Sequence, residues 1–255
     1  MAVRMTKPAS LFADRAAAGR ALAPRLRALH LPDPVVYALP RGGVPVAARI
    51  AKALAAPLDL ILVRKIGVQG QPELALAAIV EGDTIPVVNE EVMAMVRPDP
   101  AYLDEALLRE IAEIERRRTA YLGERPRIDP AGRTAIVVDD GLATGATAKA
   151  ALRSLRRQGA RRLVLAVPVA PPDTLEAMRD EADDVVCLVA PRPFHGVGAF
   201  YDDFHQLTDE EMIAVLREVW SDAGDRRRRT RSKPSRSGPE ATPGFPGSPR
   251  GDSSG

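Results

Sequence analysis

Residues 135–147 read Ala135-Ile136-Val137-Val138-Asp139-Asp140-Gly141-Leu142-Ala143-Thr144-Gly145-Ala146-Thr147. The wholly apolar opening, rich in β-branched residues, reads as a strand buried on both faces. It runs into two adjacent carboxylates, then into a loop of small residues, and a helix begins directly after the loop. Backbone N–H groups at a helix N-terminus, together with the hydroxyls of Thr144 and Thr147, are aimed at a phosphate. Gly145 between the two threonines permits close backbone approach. Asp139 and Asp140 can accept hydrogen bonds from vicinal hydroxyls, or hold Mg2+ directly or through water. The chemistry that suits such a segment is that of a sugar phosphate.

Outward from this stretch the chain alternates in type. Helices are expected over 10–29, 44–55, 99–122, 147–158, 173–181 and 208–220, the last opened by Thr208 with Glu211 completing a capping box. Short apolar strands are expected over 35–39, 58–63, 134–138, 163–169 and 185–189, with a hairpin of 74–80 and 84–88 across Gly82-Asp83. Apolar strands alternating with helices predict an α/β domain, a mainly parallel sheet with helices on both faces. Ligands on such sheets bind outside the carboxyl ends of the strands.

Further motifs fall at those ends. Leu39-Pro40-Arg41-Gly42-Gly43 joins a strand to a helix, where glycines serve structure as readily as ligand binding. Arg64-Lys65-Ile66-Gly67 follows Leu60-Ile61-Leu62-Val63 and reads as a basic loop at the same edge, continuing into a mobile loop over 67–73. Phe194, Phe200, Tyr201 and Phe204 form an aromatic cluster, with Asp203, His195 and His205 interspersed. It reads either as core packing or as a hood over a bound base. The opposite charges along 99–122 read as a solvated helix face or an oligomer contact.

The 255 residues are 45% hydrophobic and 27% charged, with a net charge of +2. This is globular composition with little charge bias toward any partner. The single Cys187 excludes an intrachain disulfide, fits a reducing compartment, and lies in an apolar run as a strand residue rather than a nucleophile. No apolar run is long enough to span a bilayer. No signal-peptide pattern opens the chain, so a cytoplasmic protein without membrane contact is expected. Residues 1–221 read as one domain. Residues 222–255, basic and rich in Ser, Pro and Gly, read as a disordered tail, solvated or in weak contact with a polyanion.

Residues 138–145 resemble the 5-phosphoribosyl-1-diphosphate (PRPP) motif of type I phosphoribosyltransferases. Segments 40–43, 64–67, 72–75 and 197–204 resemble further motifs of that broad family. The resemblance implies the type I phosphoribosyltransferase fold with a small hood, Mg2+ as cofactor, a homodimer, and PRPP with a small-molecule acceptor as substrates. It implies that Asp139 and Asp140 hold the ribose hydroxyls and the metal, forming the catalytic set with Lys65. Ala143, Thr144, Gly145, Ala146 and Thr147 would hold the 5-phosphate. Arg41, Gly42, Gly43, Arg64 and Lys65 would hold the diphosphate. Phe200, Tyr201 and Asp203 would bind the base, and the loop after Gly67 would close over PRPP. Ala143 stands where 6-oxopurine enzymes usually carry an aspartate and is similar to the Ala-Thr-Gly of adenine enzymes. The chain lacks the acidic, tyrosine-containing loop of the adenine enzymes after Gly67. The expected activity is transfer of 5-phosphoribosyl to a nitrogenous base with release of diphosphate. A PRPP- or nucleotide-binding regulator, a role in which some proteins of this fold bind RNA, is the competing function, and a hydrolase or phosphorylase-like enzyme is a third.

Overall fold

The structure, a computed structural model, describes residues 10–231, with side chains described as far as Asp222. Five strands form a parallel sheet: β1 (Pro34–Ala38), β2 (Leu58–Leu60), β6 (Thr134–Val138), β7 (Arg162–Val169) and β8 (Asp184–Val189), in the order β2-β1-β6-β7-β8. The register runs straight across the centre, Val36 beside Ile136 and Ile136 beside Val164. Because successive side chains alternate faces, Val36, Ile136 and Val164 bury one face with Val35, Val137 and Leu165 on the other.

The first face is covered by α1 (Arg15–Ala28), α2 (Gly43–Leu54) and α7 (Asp209–Arg231), through Leu22, Leu26, Ile50, Met212 and Leu216. The second is covered by α5 (Ala146–Arg157) and α6 (Pro172–Arg179), through Leu152, Leu155, Leu175 and Met178. This is the expected α/β layering, a mainly parallel sheet with helices on both faces.

Local chemistry sets the boundaries. Asp14 caps α1 by accepting from the Ala17 N–H at 2.5 Å, so the helix expected from residue 10 starts at Arg15. Thr208 and Glu211 form the expected capping box, with hydrogen bonds of 3.2 and 2.8 Å. The helix expected to end at residue 220 continues to Arg231, so the segment read as a tail from residue 222 begins within α7, and residues 232–255 lie outside the described residues. Trp220 anchors α7: its indole N–H donates to the Leu58 carbonyl at 3.2 Å, and the Arg125 guanidinium lies 4.0 Å over its ring.

The chain departs from expectation after β2. The strand expected over 58–63 breaks at Leu60, and a separate antiparallel sheet follows: β3 (Val63–Val68), β4 (Gln71–Val80) and β5 (Val87–Val88). The basic loop is therefore strand β3. The mobile loop expected over 67–73 is a tight turn through Gly70, whose φ is +80°. Gly67 lets the two strands close together, since a Cβ there would lie 2.4 Å from the Pro72 carbonyl oxygen. Ile66, buried against α4 (Pro100–Leu122), and Val68 give β3 the alternation of a half-buried strand. A short helix, α3 (Glu90–Val96), capped by Asn89, precedes α4 and was not expected.

The root of this hairpin carries two buried carboxylates and a half-buried arginine. Arg118 on α4 bridges Asp59 at 3.2 Å and Glu81 at 2.8 Å. Asp59 also accepts from the N–H groups of Leu60 and Ile128, both at 2.8 Å. Burial pushes the Glu81 carboxyl up, against the charge of Arg118. No helix among the described residues is long and apolar enough to cross a membrane.

Candidate active site

The carboxyl end of β6 is the centre of the site. The Asp139 carboxylate accepts from the Asp140 N–H at 2.8 Å. Burial, and then the neighbouring Asp140 charge, push Asp139 up. Burial also pushes Asp140 up, against the hydrogen bond and charge of Arg15. Beyond the pair, Gly145 turns the chain with a left-handed φ of +74° and α5 begins without a side-chain cap. The first N–H groups of a helix have no partner within it; at α5 the Ala146 N–H reaches the Thr144 hydroxyl at a long 3.5 Å, and such a terminus suits an anion. Thr144 and Ala146 are exposed there, and the Thr174 hydroxyl holds the loop by donating to the Ala143 carbonyl at 2.7 Å.

The turn after β1 lies against this end. The Pro40–Arg41 peptide is cis, and a Cβ on Gly43 would lie 2.5 Å from the Val138 carbonyl oxygen. A Cβ on Gly42 would lie 2.0 Å from an Asp140 carboxylate oxygen. Gly43 is thus required by close approach of backbone, Gly42 leaves room for the Asp140 carboxylate, and the structure brings together Gly42, Gly43, Asp139, Asp140 and the 143–147 loop. Arg41 is instead engaged by Asp209 on α7 at 3.5 Å, beside a shallow cavity of about 390 Å3.

The two hairpin cations separate. Adjacent strand residues point to opposite faces: Arg64 pairs with Glu110 on α4 at 2.6 Å. Lys65 is exposed and lines a cavity of about 410 Å3 with Ala146, Thr147 and Lys149. The expectation that both cations converge on one ligand group is therefore not met in this conformation.

The hood comprises residues 190–207 zipped to the start of the chain, Phe12 bridging to Tyr201 and Asp202 N–H donating to the Phe12 carbonyl at 2.9 Å. Tyr201 is fully buried, stacked on Phe204 with ring centres 5.0 Å apart, and its hydroxyl donates to the Asp140 carbonyl at 2.6 Å. With its ring inside the core, Tyr201 offers no face to a base, so of the three residues expected to bind the base it is the one this conformation withholds. Phe200 remains half-exposed, stacked on Phe194 at 5.8 Å. Asp203 is exposed and bonded to the His205 ring at 2.8 Å, which holds its carboxyl below the usual range.

Sequence reasoning missed Arg15. Its Nε meets Asp140 at 2.7 Å, its Nη1 donates to the His205 carbonyl at 3.0 Å, and its guanidinium lies 3.9 Å over Phe204. Its partners lie 125 and 190 residues away along the chain, so no local pattern marks it.

Comparison with known proteins agrees with this geometry. Residues 12–204 match the phosphoribosyl transferase domain family. A Mycobacterium tuberculosis protein, provisionally named a phosphoribosyl transferase and found in two strains, is 48% identical over 206 residues, 81% of this chain and 46% of its own length. The chain thus spans just under half the length of the curated relatives it matches. The crystal structure of the protein TT1426 from Thermus thermophilus superposes with a TM-score of 0.71 at 43% identity, covering 81% of this chain and 98% of that one. With its parallel sheet, its carboxylate pair and its open α5 terminus, the chain belongs to the phosphoribosyl transferase domain family and has the type I fold.

Proposed function

We propose that this chain transfers 5-phosphoribosyl from PRPP to a nitrogenous-base acceptor and releases diphosphate. The observation that carries the reading is the convergence at the end of β6: two carboxylates, a helix N-terminus without a side-chain cap on its Gly145 N-cap, and a glycine turn packed against the Asp140 carboxylate and the Asp139 backbone. The 143–147 loop holds the 5-phosphate, Asp139 and one oxygen of Asp140 take the ribose hydroxyls, and the N–H groups around Gly42 and Gly43 receive diphosphate. Lys65, facing the α5 cavity, supplies the mobile cation when the hairpin closes, while Arg64 and Arg41 need to leave Glu110 and Asp209 to join it. Phe200, with Phe194 behind it, and Asp203 are the hood groups left to meet the acceptor.

The donor set fits Mg2+ of a particular kind. No cluster of three metal-ligating side chains occurs among the described residues, and one Asp140 oxygen is taken by Arg15. Mg2+ commonly keeps several waters and completes its shell with substrate phosphates, so Asp139 and Asp140 would contact it singly or through water. When bound it would neutralise charge on the leaving diphosphate. The C1–oxygen bond to diphosphate breaks with its electron pair leaving on diphosphate, and an acceptor nitrogen lone pair forms the new bond to C1. The chain's residues orient these groups and exclude water. No side chain at the site stands out as a general base, which suits an acceptor already anionic. We place this activity in the cytoplasm, in a homodimer.

Mg2+-dependent diphosphate release from PRPP, screened over purines, pyrimidines and other nitrogen acceptors, tests the reading. Release with one acceptor, lost in Asp139→Asn, supports it. PRPP binding with no release for any acceptor favours the regulatory alternative.

A further inference from the structure

We propose that Arg15 is a positioning residue that fixes the Asp140 carboxylate and ties the hood to it, so that the substrate-facing groups of β6 and the hood act as one unit. The inference rests on the phosphoribosyltransferase reading and goes beyond the residues that touch substrate. Arg15 is itself buried, 8% exposed, at the start of α1. It makes three contacts with two separate segments: the Asp140 carboxylate at 2.7 Å, the His205 carbonyl at 3.0 Å, and the Phe204 ring at 3.9 Å. A fourth tie, from the Tyr201 hydroxyl to the Asp140 carbonyl at 2.6 Å, joins the same hood segment to the same residue.

The gap that Asp140 occupies is made by the glycine turn. One carboxylate oxygen lies only 2.0 Å from where a Gly42 Cβ would be, and that same oxygen is the one Arg15 holds. Arg15 therefore commits one oxygen to the scaffold and leaves the other as the acceptor for a ribose hydroxyl. A planar guanidinium can do this while stacking on Phe204. A lysine ammonium at the same place can pair with Asp140 but can neither stack as a plane nor fork to the His205 carbonyl. A buried arginine with a purely structural role would move melting temperature alone. A positioning role moves PRPP affinity in the folded protein, and moves it only through Asp140.

The test is a double-mutant cycle on the full chain, read as PRPP dissociation constant by calorimetry with Mg2+, well below each variant's melting temperature. Arg15→Lys and Arg15→Met are expected to weaken PRPP binding about 10- to 100-fold, the scale of losing a hydrogen bond to a charged group. In an Asp140→Asn background the Arg15 substitutions are expected to cost less than threefold more, because the group they position is already altered. If Arg15→Met does not fold, Arg15→Lys, which keeps the charge, decides. Folded Arg15 variants that bind PRPP within twofold of the wild type, or effects that add in the Asp140→Asn background, overturn the inference alone. A wild-type protein that does not bind PRPP overturns the functional reading and this inference with it.

Discussion

Gly43→Ala puts the proposed diphosphate turn to its most direct test. A Cβ at this position would meet the Val138 carbonyl oxygen at 2.5 Å, the Asp139 Cα at 3.1 Å and the Val138 carbonyl carbon at 3.3 Å. All three are backbone atoms at the end of the central strand or one residue past it, so the new methyl cannot be accommodated by a side-chain rotation. The same carbonyl accepts the Leu39 N–H at 2.9 Å, which fastens the end of β1 to β6. Relief therefore means moving the turn outward by roughly an ångström, at the 1–3 kcal/mol typical of overpacking. For a domain of this size that is a fall in melting temperature of roughly 2–12 °C. The functional effect is expected to be larger: displaced N–H groups lose hydrogen bonds to a charged diphosphate, each about 1.5–3 kcal/mol, or roughly 10- to 100-fold in affinity. Thermal denaturation and PRPP calorimetry on the same preparation separate the two. A folded Gly43→Ala protein that binds PRPP within threefold of the wild type would falsify the assignment of this turn to the diphosphate.

Three further outcomes follow from contacts already described. Arg118→Met strands Asp59 and Glu81 as buried carboxylates beside one another; urea denaturation should show a loss of about 3–5 kcal/mol, and a loss below about 1 kcal/mol would show that water reaches this pair. Lys65→Ala should weaken PRPP binding about 10- to 100-fold, as expected for losing a charged hydrogen-bond partner, whereas Arg64→Ala should chiefly loosen the hairpin from α4; equal effects on affinity would contradict the division of the two cations. The His205 ring is held above its usual range by its hydrogen bond to Asp203 and by that residue's charge. Its contribution to stability is fully present below pH about 6.5 and is lost as pH rises through the higher folded value. NMR titration of His205 should show an elevated value that falls in Asp203→Asn, and a ring titrating at or below 6.5 in the wild type would refute the pairing.

Much of the fold was legible because its periodicities are strong. The strand over 134–138 is found at those residues, and α2, α5 and α6 lie within a residue or two of expectation. Their apolar faces are continuous and their ends are punctuated by Gly, Pro or a cap. The expected pairing of 74–80 with 84–88 is found as β4 with β5, but strand β3 was missed because Leu60-Ile61-Leu62-Val63 is apolar throughout, so nothing in composition marks the point where the chain leaves one sheet and joins another. Arg64 and Lys65 then followed as a loop, although Ile66 and Val68, alternating with Lys65 and Gly67, already carry the period of a strand. At the site, the carboxylate pair and the small-residue loop were readable because each carries its chemistry within a few consecutive residues. Tyr201 and Arg15 were not, since their roles depend on contacts 61 and 125 residues away along the chain. Local patterns do not carry that information.

The lone tryptophan gives the molecule a built-in optical probe. Trp220 is the only indole in the sequence, and it docks α7 onto the opening residue of β2, at the edge of the sheet opposite the carboxyl ends where the site lies. Its emission should therefore track release of α7 from the sheet and remain silent to events at the turn after β1. A guanidinium stacked on the ring and a carbonyl on its N–H give the docked state a surrounding distinct from water. Fluorescence followed against far-ultraviolet circular dichroism during denaturation would then resolve whether the closing helix leaves first or departs with the whole domain.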